Sequence, residues 1–155
     1  MKKRCLSLVC VIALMLSVFG VNVRASEQRV MVDGSYLTHN EESVGESVLL
    51  TRGEDLQAGT SKISKAATGV INAGGTTTAD HVVKEIGISV IVERLKSGSS
   101  SWSYYRTWQA VKENASSVSS SKRLTVAGGY YYRTRCIHWA NSDSSSSFTN
   151  GIYIN

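Results

Sequence analysis

The sequence contains no proline in 155 residues, although sheet edges and turns often use it. Its turns must therefore be made by glycine and serine. Of its three cysteines, Cys5 and Cys10 lie near the N-terminus and Cys136 stands alone beyond them. One thiol excludes an internal disulfide once the N-terminal stretch is removed, so the core has to hold by packing. No long apolar run recurs after Gly20, which excludes a membrane span in the mature chain. No stretch combines a helical period with helix caps, which leaves strands as the building material.

What the N-terminus does contain is a leader. Lys2, Lys3 and Arg4 precede an apolar run from Cys5 to Gly20 that only Ser7 and Ser17 interrupt, and Val23-Arg24-Ala25 follows. That is the pattern of a cleaved secretory signal. The run is shorter than the roughly 20 residues a spanning helix needs. Ser7, Leu8 and Val9 before Cys10 do not form a lipid-attachment site. Residues 1–25 are thus expected to be removed, leaving 130 residues, the size of one domain. Secretion is the expected destination, in the medium or on the cell wall.

Cleavage changes the charge. Four of the 17 Lys and Arg leave with the signal and none of the 12 acids does, so the net charge falls from +5 to +1. The basic pI near 9.2 largely reflects the signal, and nucleic acid loses its electrostatic case as a partner. The remaining charge is uneven. Ser26 to Asp55 carries seven acids and two arginines, whereas the rest carries eleven bases and five acids. Residues 26–48 read as an acidic, flexible extension or a lone added strand, and residues 49–155 as the folded domain.

Within that domain the pattern is alternating. Ile63, Val70 and Ile71 mark an opening strand that ends at Ala73-Gly74-Gly75. In Val82 to Arg94, Val82, Ile86, Ile88, Val90 and Val92 share one face and Val83, Glu85, Ser89, Ile91 and Glu93 the other. Trp102 to Val111 places Trp102, Tyr104, Trp108 and Ala110 together, and Glu113 to Ser121 reads as a serine-rich crossing. Leu124 with Val126 marks a short strand before Gly128-Gly129. Tyr130 to Ala140 is the clearest strand. Tyr130, Tyr132, Thr134, Cys136 and His138 fall on one face, and Tyr131, Arg133, Arg135, Ile137 and Trp139 on the other. The arginines occupy only the second face, so the first is the inward one. Asn141 to Ser147 reads as a polar loop, before a last strand with Phe148, Ile152 and Ile154. Short strands between Gly and Ser turns predict an all-β, antiparallel β-sandwich.

Tyr130 to His138 resembles the penultimate strand of fibronectin type III and other immunoglobulin-like domains. The resemblance implies an inward tyrosine, placed at Tyr130, whose hydroxyl bonds backbone upstream. The proline-rich opening strand of that family is missing. A second resemblance rests on Thr51 to Leu56, Ile71 to Ala79, Ser119 to Tyr132 and Ala140-Asn141-Ser142-Asp143. These segments look like a domain family of unknown function found in small exported proteins of Gram-positive, clostridia-like bacteria, with the similarity running from about Tyr36 to the end. It implies secretion and a β-rich domain, and carries over no catalytic residue.

Candidate chemistry is thin. Cys136 and His138 would share a strand face as two metal ligands or a nucleophile and base. A zinc site wants about three or four protein ligands, and His39 and His81 lack matching spacing. Packing for Cys136 and a strand-end hydrogen bond for His138 fit better. Asp80-His81 with a loop serine could suggest a hydrolase, but no Gly-x-Ser-x-Gly elbow occurs. No cofactor is implied and an enzyme is not expected. Asn114-Ala115-Ser116 matches a glycosylation acceptor, a reading that usually fails in bacteria. The aromatics lead further. Tyr105, Tyr131 and Trp139, with Arg133 and Arg135 beside them, would form a solvent-facing platform for a protein partner or a glycan at the cell surface.

Overall fold

A computed structural model describes residues 32–47 and 53–155. The expected signal lies outside the described residues, as does the expected domain boundary at 48/49. Eight strands form one sheet: β1 (Leu37–Thr38), β2 (Glu42–Glu46), β3 (Leu56–Ala67), β4 (Val70–Lys96), β5 (Ser103–Thr125), β6 (Tyr130–Ala140), β7 (Asp143–Phe148) and β8 (Gly151–Ile154). The order is β1-β8-β6-β4-β3-β2, with β5 on β4 and β7 on β6. No helix occurs among the described residues. The pair β1/β8 is parallel and the other pairs are antiparallel.

The prediction of an all-β chain agrees with this architecture. An antiparallel immunoglobulin- or fibronectin III-like sandwich is not confirmed: the β1/β8 pair makes the sheet mixed, and the strands form one curled sheet. Its spine is β4. The first part of β4 pairs with β3, from Val70 to Ala79, and the second with β6, from Ile86 to Lys96. Strand β5 follows β4 through both parts. Between them the β4/β5 register shifts between Thr78 and Val83, and a bulge of this kind bends a strand sharply. On β5 the bend coincides with Asn114, whose φ is +48. The chain therefore folds back over itself, and the two parts of one strand contribute to facing layers.

The core lies between the layers. Leu56, Ile63 and Ile71 come from the first, and Ile86, Ile88, Val90, Val92, Tyr132 and Ile152 from the second, all at most 1% exposed. Contacts across the gap are direct. The Cys136 Sγ sits 3.7 Å from the Gly74 carbonyl. A Cβ at Gly75 would stand 2.8 Å from that sulfur, and one at Gly59 would collide with the His138 ring. The close approach of the layers explains why glycine stands at these points.

Several sequence expectations change here. Gly74-Gly75 does not end a strand; β4 runs through it, paired with Lys62 and Ser61 of β3. The serine-rich crossing lies within β5, and most of the Asn141 to Ser147 loop within β7. Their backbone ladders with β4 and β6 supply what serine's weak strand preference does not. The β5 bulge at Tyr105, opposite Val92/Glu93, separates Tyr104 from the face of Trp108. The bend likewise leaves Val83 buried and Val82 64% exposed. Within the expected acidic extension, Leu37–Thr38 and Glu42–Glu46 pair into the sheet.

Candidate functional site

The inward face of β6 carries the groups that chemistry would most want, and seals them. Cys136 and His138 are both 0% exposed. Burial pushes the Cys136 thiol up to about 12, so it stays protonated. His138 is bonded at both ring nitrogens, to Thr77 Oγ1 at 2.8 Å and to Ser147 Oγ at 2.8 Å. Thr77 spends its single proton on the Gly87 carbonyl at 3.0 Å. It must then accept from His138 Nδ1–H, which leaves Nε2 to accept from Ser147. This network favours the neutral ring, and burial lowers the His138 pKa to about 4. His138 is a tie between β4, β6 and β7 rather than a strand-end donor.

The other histidines are surface groups. His81 Nε2 pairs with Asp55 at 3.0 Å, and Asp55 also accepts from Asn141 Nδ2 at 2.8 Å. Among the described residues no group of three His, Cys, Asp or Glu could hold a metal ion.

The corner tyrosine is Tyr132, not Tyr130. Its hydroxyl donates to the Ala127 carbonyl at 3.0 Å, and its ring is fully buried. Tyr130 is half-buried and stacks under Arg94, 5.2 Å from the guanidinium.

The outward face of the second layer brings together Tyr131, Arg133, Arg135 and Trp139, as the alternation predicts. Tyr105 does not join them. Its ring meets buried Tyr132 edge-on at 5.6 Å, and its hydroxyl donates to the Thr125 carbonyl at 2.9 Å. The bulge in β5 turns it to the inward side.

The four that share the face have different duties. Arg133 is occupied. It pairs with Glu93 at 2.7 Å, donates to the Gly34 carbonyl at 2.7 Å and lies 4.2 Å over the Trp102 ring. It clamps the segment before β1 onto the sheet. Tyr131 belongs to a ring cluster with Tyr153 at 5.0 Å and His39 at 6.0 Å. Trp139 lies across Gly87, where a Cβ would collide with its ring, and its indole N–H donates to Glu85 at 2.9 Å. Arg135 stands between Ile91 of β4 and Phe148 of β7 in the sheet register. Its buried Nε has no hydrogen-bond partner.

Around Arg135 and Trp139 lie residues that sequence reading left out of the site. Ile137 is 39% and Val111 50% exposed, and register puts Val111 beside Gly87 and Trp139. Their alternation on β6 and β5 was visible in the sequence; their neighbourhood depended on pairing. Family models, curated proteins and solved structures give no match to this chain.

Proposed function

We propose that the chain is an exported, non-catalytic binding protein. Its contact surface is the open part of the second layer: Ile91, Val111, Arg135, Ile137 and Trp139. One observation carries the reading. The Arg135 side chain makes no ion pair or hydrogen bond within the described protein, and it stands near the exposed apolar side chains of Ile137 and Val111 on the sheet. Arginine beside tryptophan is a pairing enriched where proteins meet. Nε itself is sealed from solvent, but a partner carboxylate flanked by apolar groups would pair with the terminal guanidinium nitrogens, which hold no partner within the described protein. The partner is accordingly a protein with an acidic, partly apolar epitope. The glycan platform has less support on this face, since Tyr131 and Tyr153 are tilted by 56° instead of coplanar. The leader-like N-terminus supports export.

The experiment compares bead-coupled wild type with the double variant Arg135→Glu/Ile137→Asp in cell-surface extracts, read by quantitative mass spectrometry. A variant on the first layer, Gln57→Glu, at an exposed residue outside either contact surface, serves as control. Partners lost only on the double variant, with its unfolding curve unchanged, support the reading. The same partner list on all three proteins overturns it.

A further inference from the structure

On the outer side of the first layer the sheet is concave. Strands β2, β3, β4 and β5 enclose a trough of about 670 Å³, within the range of small-ligand sites. Three rows cross it in register: Glu46–Thr60–Thr76–Ser119, Val44–Lys62–Gly74–Ser121 and Glu42–Ser64–Asn72–Arg123. Gly74 forms the floor. From Thr60 to Ser64 the trough runs about 13 Å along the strands, and it spans about 14 Å across them.

Four of its polar groups are open, whereas Thr76 bonds Ser119 and Ser120 accepts from Trp108. Thr60, Ser64, Asn72 and Ser121 line the trough, and their side chains bond to nothing within the described protein. Inward hydroxyls are mostly used: Ser61, Thr77, Ser147 and Thr149 all hold partners. Open hydroxyls and an amide therefore converge on one cavity from three strands.

The chemistry narrows the ligand. Among the described residues Lys62 is the one cation lining the trough, and it is paired with Glu42 at 2.8 Å; Arg123 ends the third row outside that lining, so a charged ligand gains little. An apolar ligand would strip water from four polar groups and return nothing. Nucleic acid would want phosphate contacts and stacking rings, and among the described residues no aromatic lines the trough. A neutral polyhydroxylated chain fits, because its hydroxyls and those of serine and threonine each donate and accept. We infer that the trough binds a neutral glycan segment, at a site separate from the partner surface on the second layer.

Binding should be weak, with a Kd on the order of 1 mM, because exchanging water for hydroxyl partners nets little. The test titrates soluble neutral hexasaccharides of glucose, xylose and mannose, and a polygalacturonate, into isotope-labelled protein, and follows backbone amide signals. Expected are shifts at Thr60, Ser64, Asn72, Thr76 and Ser121 with at least one neutral chain. Ser121→Tyr, on an exposed edge strand, should weaken that binding at least about tenfold at an unchanged melting temperature, and Ser121→Thr should retain it. Shifts confined to other residues, binding of the acidic polymer alone, no shift with any of these sugars, or undiminished binding by Ser121→Tyr each overturns the inference. Should Ser121→Tyr not fold, Ser64→Phe is read in its place by the same criteria.

Discussion

The two layers share β4 and β5 and turn opposite chemistry outward. On the first, β4 presents Asn72, Gly74 and Thr76 between serines and threonines, and the face sinks into a trough. On the second, the same strand presents Ile91 beside Arg135, near Ile137 and Trp139. The inward sides are alike, packed with Ile, Val and Leu. Hydrophobic burial fixes the fold without caring what faces out, so each outer face is free to serve a separate contact. The difference is one of side-chain chemistry on a shared backbone.

That comparison can be broken most severely at its seam. Gly59→Val would drive a branched side chain into the His138 ring; a loss of at least about 3 kcal/mol is expected, as for overpacked cores. Urea unfolding measures it, and a variant of wild-type midpoint would deny the tight seam. The second lever is pH. His138 titrates at about 4 when folded, against the ordinary 6.5, so the unfolded chain takes up its proton first. Stability is therefore full above pH 6.5 and declines as pH falls toward 4, by about 3 kcal/mol in all. His138→Gln should flatten this decline in unfolding curves collected across that range.

Smaller effects follow away from the seam. Tyr132→Phe removes the bond to Ala127 and should cost about 1 kcal/mol, seen as a lower urea midpoint with unchanged slope. Gly87→Ala, on the outer side of the second layer, should displace the Trp139 ring and alter tryptophan fluorescence. Its stability cost should stay near the roughly 0.5 kcal/mol of surface changes, since the ring can swing into solvent. An unchanged emission spectrum would mean that Trp139 does not lie over Gly87.

How much of this was legible in the sequence depends on which residues carried it. The strand from Tyr130 to Ala140 could be read side chain by side chain, because two arginines marked its outer face. Ile86, Ile88, Val90 and Val92 were readable because Glu85 and Glu93 marked the opposite face. Gly74-Gly75 misled, since glycine weakens a strand intrinsically, and only the neighbouring β3 and β5 hold the backbone extended there. The serines of β5 misled likewise. Tyr105 went to the wrong side because a bulge is a matter of register, which alternation within one strand cannot reveal. The trough was not legible at all. Its rows exist only once four strands are aligned.

A spine that crosses from one layer to the other also has a mechanical meaning. Because β4 and β5 run through both layers, tension applied at one face passes to the other along covalent backbone. A protein held by a partner on one side and a polymer on the other would bear load along its own main chain rather than across an interface.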